Sequence, residues 1–346
     1  MRCVVFALTL VDIDHMAPLA YILKLPLIIT NSTVYKLCKE YYPQVQPQFI
    51  DSSNFSMDSI ANDYDIVLHT YKPWAMQLIN FGRLVCGRRL YSIYCPHGNS
   101  DKLYTYTHSD KIINHDIQLI YGEQMRSYIN EYSPSKTHPL IPVGNYRYAF
   151  YKRYKAHFDA LAKKHIFGKF EKPQKTILYA PTWNDAEANS SFPDQFNSLP
   201  DNLPSHYNLI FKIHPNLEMR HHAQVHRLVE ACKATPNIVI SHTFTPIYSL
   251  LEKSDIYLGD HSSVGYDFLA YKRPQFFFKK NAITPLHKCG EMITEKNPFP
   301  FIDAHPENTR LNEQEALYKQ VFEDHPSFDD LRAAFFNQLE NWKAPC

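Results

Sequence analysis

The amino-acid sequence predicts an α/β fold made of two successive doubly wound domains. Short apolar runs alternate with segments of helical periodicity along most of the 346 residues. Such alternation is typical of parallel sheets whose strands are connected by helices. The alternation pauses near residue 150 and starts again near residue 176, which predicts a second sheet. Polar side chains directly follow several of the apolar runs, as expected where a parallel sheet binds a ligand.

The first half of the chain contains the elements of the first predicted sheet. Apolar runs predict strands at residues 4–11, 27–30, 65–69, 90–94 and 118–121. Helical spacing predicts helices at residues 15–25, 33–42, 74–85 and 123–132. Ser32 or Thr33 is expected to cap the second helix, because a hydroxyl accepts a hydrogen bond from a first-turn amide.

A basic amphipathic segment at residues 150–170 is predicted to connect the two domains. We therefore place an N-terminal domain at residues 1–150, a connector helix at 151–172 and a C-terminal domain at 173–346. The lysines and arginines of the connector have two interpretations. They could contact an anionic membrane surface, or they could form an ordinary solvated helix face.

The second half repeats the pattern. Strands are predicted at residues 176–180, 207–213, 238–241, 256–259 and from Pro274 onward. Helices are predicted at residues 217–233, 246–253, 312–322 and 328–342, with a further helix that Ser262 or Ser263 caps. Thr245 is expected to cap the helix at 246–253. Residues 184–205 are polar and rich in proline, which predicts a long loop with one helical turn.

Composition excludes several classes of protein. The net charge is +1, so no overall electrostatic attraction to nucleic acid is expected. No apolar run approaches the ~20 residues that a membrane span needs. The first nine residues resemble the start of a signal peptide, but Asp12 and Asp14 follow without a cleavage site, which predicts a buried strand instead. Seven scattered cysteines without a C-x-x-C pair favour a reducing, cytoplasmic compartment.

Five polar residues follow predicted strands: His15, His97, Thr182, His214 and Ser262. His97 precedes Gly98 and could act as a base for a hydroxyl, since an unperturbed histidine has a pKa near ~6.5. Alternatively it is an ordinary turn residue. His214 could donate to a phosphate oxygen or fill a structural turn.

The segment at residues 254–278 contains a strand, a polar turn and a helix. Free amides at the start of that helix, beside Ser262 and Ser263, favour an anion such as a phosphate. The alternative is a capped helix without a ligand. Asp12 and Asp14 imitate a metal-binding D-x-D, although a turn or a helix cap is favoured. His222 and His226 are four residues apart on a helix and are interpreted as a solvated face.

The ordered motifs HG-x-x-x-K, YAPTW, IHP and D-x-SSV-x-x-DF-x-x-x-x-RP together resemble the CDP-glycerol glycerophosphotransferase family, the teichoic-acid-type poly(glycerol phosphate) transferases. The resemblance is strongest at residues 177–278. The matching residues are His97, Gly98, Lys102, Tyr179 to Trp183, His214, Pro215, Asp260, Ser262, Ser263, Val264, Asp267, Phe268, Arg273 and Pro274.

The resemblance implies a GT-B fold, with two Rossmann-like domains facing each other across a cleft. It implies transfer of glycerol phosphate from CDP-glycerol to an acceptor hydroxyl with release of CMP, without a metal or other cofactor. His97 would be the base, and His214 would act with Ser262 and Ser263 on the donor pyrophosphate. The remaining donor-binding positions would be Thr182, Asp260, Lys102 and Arg273.

The same resemblance implies a lipid-linked or glycan acceptor in cell-wall or capsule synthesis, at the inner face of the cell membrane. Asn99 and Asn184 depart from the family pattern, so the transferred alcohol stays open, as does the choice between single transfer and polymerisation. One alternative is a GT-B glycosyltransferase or epimerase that uses a CMP- or UDP-sugar. Another is a non-catalytic protein that uses the cleft for binding.

Overall fold

The structure is a computed structural model that describes residues 1–102, 115–132, 138–183, 188–278, 283–301 and 308–342. The chain divides into two compact units. The first unit consists of the described residues within Met1–Asn99, Thr105–Arg153 and Gln320–Cys346, and the second of those within Ser100–Tyr104 and Tyr154–Lys319. The boundary between Arg153 and Tyr154 lies inside the predicted connector.

Each unit contains one parallel sheet. The strands are β1 (Cys3–Phe6), β2 (Leu27–Ile29), β3 (Gln48–Phe49), β4 (Ile66–His69), β5 (Tyr91–Tyr94), β6 (Ile117–Ile120), β7 (Leu140–Pro142), β8 (Lys175–Tyr179), β9 (Tyr207–Lys212), β10 (Ile238–Ser241), β11 (Ile256–Gly259), β12 (Gln275–Phe278) and β13 (Glu291–Ile293). In the first unit the strand order is β3-β2-β1-β4-β5-β6-β7, and in the second it is β10-β9-β8-β11-β12-β13. In both sheets the chain starts at a central strand and reverses direction across it, as in dinucleotide-binding folds.

Helices connect these strands. The α-helices of the described residues are α1 (Leu10–Leu23), α2 (Ser32–Tyr41), α3 (Met57–Asp63), α4 (Lys72–Leu84), α5 (Glu123–Tyr132), α6 (Tyr146–Arg153), α7 (Lys155–His165), α8 (Phe192–Asn202), α9 (Pro215–Arg220), α10 (His222–Cys232), α11 (Ile247–Lys253), α12 (Ser263–Phe268), α13 (Leu311–Val321) and α14 (Phe328–Asn341). Short 3₁₀ helices occupy Phe167–Lys169, Leu269–Tyr271 and Leu286–Cys289. None of the helices in these residues combines the length and apolar character needed to cross a bilayer.

The central strands are buried on both faces, which explains their continuous apolar sequences. Val5 of β1 pairs with Leu27 on one side and with Leu68 on the other, and all three side chains are at most 1% exposed. In the second unit, Leu178 of β8 pairs with Ile210 of β9, and both are fully buried. The core of each unit therefore lies along its sheet.

Most of the predicted helices and strands are confirmed, and three segments differ from their predicted secondary structure. The first strand ends at Phe6, because Asp12 accepts a hydrogen bond from the Thr9 amide at 2.7 Å and starts α1 early. The segment at 184–205 contains the helix α8, whose buried Phe192 and Leu199 pack in the core, although residues 184–187 lie outside the described part. The helix predicted at 217–233 is divided into α9 and α10, which meet at His221.

Helix caps were predicted with mixed success. Ser262 caps α12 by accepting a hydrogen bond from the Val264 amide, which confirms one of the two expected residues. Asn31, rather than Ser32 or Thr33, caps α2, because its Oδ1 accepts from the amides of residues 33 and 34. Thr245 does not cap α11, whose N-cap position is Pro246.

The C-terminal helix belongs to the first unit, whereas the predicted boundaries placed it in the second domain. Buried Leu331, Phe335 and Leu339 form its apolar face, and Arg332 Nε donates to the Ile22 carbonyl of α1 at 2.7 Å. Gly144 has a φ of +58°, and a Cβ there would lie 2.1 Å from the Glu323 carbonyl oxygen. A glycine is therefore required where the returning chain passes β7.

Candidate active-site residues

His97 lies at the carboxyl end of β5 in the first unit, between Pro96 and Gly98. Gly98 has a φ of +107°, a conformation that glycine adopts without strain. The His97 side chain is 39% exposed, and its Nε2 lies 2.9 Å from Asp12 Oδ1. The predicted base is therefore partly open to solvent and is held by a carboxylate.

Asp12 is 2% exposed and accepts four hydrogen bonds. Its Oδ1 bonds His97 and the Thr70 hydroxyl at 2.7 Å, and its Oδ2 accepts from the amides of Leu8 and Thr9 at 2.9 and 2.7 Å. Burial alone would raise the pKa of Asp12. The hydrogen bond and the charge of His97, together with the hydrogen bonds from Thr70 and Thr9, outweigh burial and lower the pKa. Asp12 is therefore ionised at neutral pH.

The ionised Asp12 determines which nitrogen of His97 carries the hydrogen. A carboxylate can only accept, so Nε2 must donate to it. In the neutral ring the lone pair is then at Nδ1, which is the atom able to take a proton from a hydroxyl. Asp12 thus orients the His97 ring, and its carboxylate is placed where it would stabilise a positive charge on that ring.

Two further histidines lie at the same end of the first sheet. Burial, followed by the charges of Arg147 and His97, lowers the pKa of His15 well below its usual value, and its ring packs edge-on against His97 at 5.4 Å between centroids. Burial, followed by the Lys72 charge, lowers the pKa of His69 to about 3. Both rings are therefore neutral at pH 7.

Asp14 has a structural role. Its carboxylate accepts from the Tyr42 hydroxyl at 2.6 Å and from Arg147 at 2.8 Å, and Arg147 is only 6% exposed. The expected helix cap is therefore confirmed for Asp12, which accepts from the amides of Leu8 and Thr9 at the start of α1. Asp14 does not cap the helix, since it binds Tyr42 and Arg147 instead.

In the second unit, Asp260 organises the loops at the carboxyl ends of the strands. It follows β11, is fully buried, and accepts from the Thr182 amide and from both the amide and the hydroxyl of Ser191, each at 2.8 Å. Burial raises the pKa of Asp260, an effect that the Ser191 and Thr182 hydrogen bonds and the Lys102 charge partly offset. Because it is fully buried, Asp260 positions Thr182 and Ser191 through these hydrogen bonds.

Lys102 joins this group, although the predicted boundaries placed it in the first domain. Residues 100–102 belong to the second unit, and Lys102 Nζ donates to the Thr182 hydroxyl. The ammonium group also lies over the Trp183 ring, 5.8 Å from its centroid. Lys102 is 8% exposed, so a positive charge is held almost buried beside Thr182.

His214 and Ser262 follow the strands on either side of β8. His214 is the N-cap of α9, and its Nδ1 accepts from the Asn216 amide at 3.1 Å, which leaves the hydrogen of the neutral ring on Nε2. An Nε2–H group is the kind of donor that binds a phosphate oxygen. Ser262 is 6% exposed, and Ser263 is half-buried.

The structure does not bring Arg273 to this group. Its guanidinium donates to the carbonyls of Glu252 and Ser254 at 2.6 and 2.7 Å, at the end of α11. These carbonyls lie at the amino end of β11, whereas Ser262 lies beyond its carboxyl end. Arg273 therefore stabilises a helix terminus and lies apart from Thr182, Ser262 and the other residues predicted to bind the donor.

Sequence analysis does not identify all of the residues that form these groups. Asp12 was interpreted as a cap alone, although an acid after the first strand of a parallel sheet is a signal for the carboxyl edge. Ser191 lies in a segment interpreted as a loop and carries no local signal. The exposed pair His222 and His226 lies on the outer face of α10, as predicted. Asn184 lies outside the described residues.

The chain matches the family model described as CDP-Glycerol:Poly(glycerophosphate) glycerophosphotransferase over residues 108–288, just over half of its length. It is similar to the teichoic acid glycerol-phosphate primase of Bacillus spizizenii, with 31% identity over 113 residues, which cover 32% of this chain and 27% of that protein. It is also similar to the teichoic acid glycerol-phosphate transferase of Staphylococcus aureus, with 31% identity over 111 residues, 30% of this chain and 26% of that protein. The chain thus matches about a quarter of the length of each relative.

Solved structures resemble the chain along nearly its whole length. The wall teichoic acid polymerase TagF has a TM-score of 0.62 at 13% identity, covering 98% of this chain and 90% of that one. A TagF variant soaked with CDPG has a TM-score of 0.63 at 14% identity, covering 98% and 88%. The UDP-GlcNAc 2-epimerase of Neisseria meningitidis, bound to UDP-GlcNAc, has a TM-score of 0.58 at 13% identity, covering 99% and 100%. These likenesses confirm the fold class, GT-B with two Rossmann-like sheets.

Proposed function

Because the chain belongs to the CDP-glycerol:poly(glycerophosphate) glycerophosphotransferase family, we propose that it moves glycerol phosphate, or a related alcohol phosphate, from a CDP-activated donor to an acceptor hydroxyl. The observation that carries this proposal is the hydrogen bond between His97 Nε2 and the ionised Asp12, since attack by a hydroxyl requires a base. Family membership makes the chain a transferase.

The proposed reaction is one displacement at phosphorus. The acceptor oxygen forms a bond to the phosphorus that carries the glycerol, and the bond from that phosphorus to the oxygen of CMP breaks. The hydroxyl proton moves to His97 Nδ1, and CMP leaves with the additional negative charge. Asp12 stabilises the imidazolium that forms, which lowers the barrier to proton removal.

The second unit is proposed to bind the donor pyrophosphate. His214, Thr182 and Ser262 follow the neighbouring strands β9, β8 and β11, whose carboxyl ends lie side by side. Lys102 adds a nearly buried positive charge beside Thr182. Donors and charge that are held in place stabilise the charge on the departing phosphate at little reorganisation cost. Ser263, at the start of α12, supplies a further hydroxyl to the same group.

The proposal also covers the acceptor, the location of the chain and the neutralisation of the donor charge. The acceptor is a lipid-linked or glycan hydroxyl in cell-surface polymer synthesis, and the chain works at the cytoplasmic face of the membrane. Protein donors neutralise the pyrophosphate without a metal ion. The relatives named as teichoic acid glycerol-phosphate enzymes and the TagF variant soaked with CDPG support the choice of donor.

Release of CMP from CDP-glycerol, with a glycerol phosphate polymer or a lipid-linked glycan as acceptor, tests the proposal. His97→Ala should reduce kcat at least ~10²-fold, the usual contribution of a general base. His214→Ala should also lower kcat and in addition raise the KM for the donor, because His214 is proposed to bind the pyrophosphate and to stabilise the charge that grows on it as CMP leaves. His222→Ala removes an exposed histidine of α10 and serves as the matched control.

Activity should persist in EDTA. A panel of CDP-glycerol, CDP-ribitol, CMP-sugars and UDP-GlcNAc separates the proposal from its main alternative. Binding and turnover of UDP-GlcNAc without any effect of CDP-alcohols would show a sugar epimerase or glycosyltransferase instead. CDP-glycerol binding without turnover, unchanged by His97→Ala, would indicate a non-catalytic protein.

A further inference from the structure

A cavity of about 470 Å³ lies within the first unit, at the C-terminal end of α1. Tyr21 and Lys24 at the end of α1, Gln44, Arg153 at the end of α6, and Phe328 and Arg332 of α14 contribute to its walls. Lys24 is twelve residues beyond Asp12, which corresponds to about 18 Å along a helix. The cavity is therefore separate from the base at the other end of α1.

The charges around this cavity favour an anion. Three cationic side chains, Lys24, Arg153 and Arg332, line it together with a single acid, Asp329. Arg332 is held in place, because its Nε donates to the Ile22 carbonyl and its guanidinium to Asp329, both at 2.7 Å. Lys24 and Arg153 are exposed and form no ion pair with any described acid. The side chains that line the cavity therefore carry a net charge of +2.

An unpaired amide oxygen lies just beneath the lining of the cavity, and aromatic rings form one of its walls. Gln44 Oε1 is buried and has no hydrogen-bond partner, and a buried polar atom of this kind calls for an explanation. Tyr21 and Phe328 pack edge to face with ring centroids 6.3 Å apart, and Arg153 lies over the Phe328 ring at 5.4 Å. A ligand that fits these features has an anionic group, a hydroxyl donor and a short carbon skeleton.

We infer that this cavity binds a phosphorylated polyol. The phosphate lies among Lys24, Arg153 and Arg332, and a hydroxyl donates to Gln44 Oε1 once the amide group turns this enclosed oxygen toward the cavity. The choice of glycerol phosphate as the polyol rests on the proposed function, whereas the cavity, its charge and its acceptor do not. The ligand is glycerol phosphate, either free or as a unit of a polymer that the chain holds away from the reacting end.

A membrane surface fits the cavity less well. The most exposed apolar side chains of the first unit are Met1, Tyr71, Leu84 and Val85, each at least 55% exposed, and none of them lines the cavity. Binding to a bilayer usually combines basic residues with apolar side chains that enter the interface. The cavity instead combines cations with an amide acceptor.

Calorimetric titration of the full chain with sn-glycerol 3-phosphate and with inorganic phosphate tests the inference. Lys24→Glu/Arg153→Glu should weaken the binding of both ligands at least tenfold. Lys36→Glu/Lys163→Glu makes the same change in net charge at exposed positions outside the cavity and should weaken binding less than twofold. Gln44→Met should weaken the binding of glycerol phosphate several-fold and change that of inorganic phosphate less than twofold, because the hydroxyl proposed to donate to Gln44 is carried by the carbon skeleton that inorganic phosphate lacks.

Several outcomes would overturn the inference. These are no saturable binding of glycerol phosphate, equal losses in the two charge-reversal variants, or no loss in either. Co-sedimentation with phosphatidylglycerol vesicles that depends on Lys24 and Arg153, without binding of glycerol phosphate, would assign the surface to a membrane. If the charge reversal unfolds the chain, as circular dichroism would show, the neutral Gln44→Met comparison decides.

This experiment is independent of the test of the proposed function. If glycerol phosphate binds in a way that depends on Lys24, but the chain releases no CMP from CDP-glycerol, the proposed function is refuted and the inference about the cavity stands. If CMP is released but nothing binds at the cavity, only the inference about the cavity is refuted. The His214→Ala variant removes a donor-side contact, so binding that persists there is not binding at the pyrophosphate group.

Discussion

The substitution Asp12→Asn tests the proposed catalytic pair most directly. The amide of asparagine has one oxygen and one NH₂ group in place of two acceptor oxygens. If the oxygen keeps the hydrogen bonds from the amides of Leu8 and Thr9, the NH₂ group faces His97 Nε2 and the Thr70 hydroxyl. His97 Nε2 must then accept, so the ring hydrogen moves to Nδ1 and the proposed base loses its lone pair.

The expected loss follows from that change of tautomer. General-base catalysis contributes about 10²–10⁴-fold, so kcat should fall by that factor, which corresponds to about 3–5 kcal/mol in activation free energy. All the hydrogen bonds of Asp12 are to residues of the first unit, so the KM for the donor should stay within about twofold. The free energy of unfolding should fall by about 1.5–3 kcal/mol, the value of hydrogen bonds to a charged group.

The assay is steady-state release of CMP, with circular dichroism to confirm folding. Thr70→Val is the matched control, because it removes another hydrogen bond to the same Asp12 oxygen but leaves an ionised carboxylate. It should reduce kcat less than tenfold. In the double variant Asp12→Asn/His97→Ala, the loss should equal that of His97→Ala alone, since both changes remove the same base.

Two results would refute this reasoning. One is a folded Asp12→Asn enzyme that retains kcat within tenfold of the original. The other is a double variant whose losses multiply, which would show that Asp12 and His97 act independently. Either result would leave the hydrogen bond between them as a structural contact.

Three other predictions concern stability and are checked by urea unfolding. The pKa of His69 is about 3 in the folded state and 6.5 in the unfolded state, so between these values only the unfolded state binds the proton. The free energy of unfolding should therefore fall as the pH is lowered from 6.5 to about 3, by about 1.4 kcal/mol per pH unit. His69→Leu should reduce the slope of unfolding free energy against pH by one proton, and an unchanged slope would contradict the prediction. Arg273→Ala should lower the free energy of unfolding by about 1–3 kcal/mol without changing donor KM, and a raised KM would restore Arg273 to the donor-binding group. Gly144→Ala should cost about 2–4 kcal/mol, because its Cβ would overlap the Glu323 carbonyl oxygen, whereas Gly87→Ala, with open space around it, should cost no more than about 1–2 kcal/mol for its positive φ.

The sequence predicted elements well where local physics decides them. The strands β4, β9 and β11 are short apolar runs followed by polar residues, and Ser262 caps α12 because a serine before a helical pattern satisfies a first-turn amide. It failed for α8, where prolines at residues 193 and 200 suggested a loop. There the burial of Phe192 and Leu199 in the core outweighs the low helix propensity.

The candidate site residues were likewise predicted well where a local pattern identifies them and poorly where the tertiary structure decides. His97, Thr182, His214 and Ser262 could be found because each follows a strand of a parallel sheet. Arg273 was placed by a motif alone, and the structure shows its guanidinium at the opposite end of β11. Motif spacing does not reveal which way a long side chain points.

The sequence by itself determined the class of fold and the ends of the strands where chemistry is expected, because apolar periodicity and turn residues are local properties. Only the tertiary structure decided which of those ends lie together. Asp12 and His97 are 85 residues apart in the chain, and Asp260 and Ser191 are 69 apart. They meet because β1 and β5 flank β4, and because α8 packs beside β8 and β9, arrangements that depend on strand order and on burial.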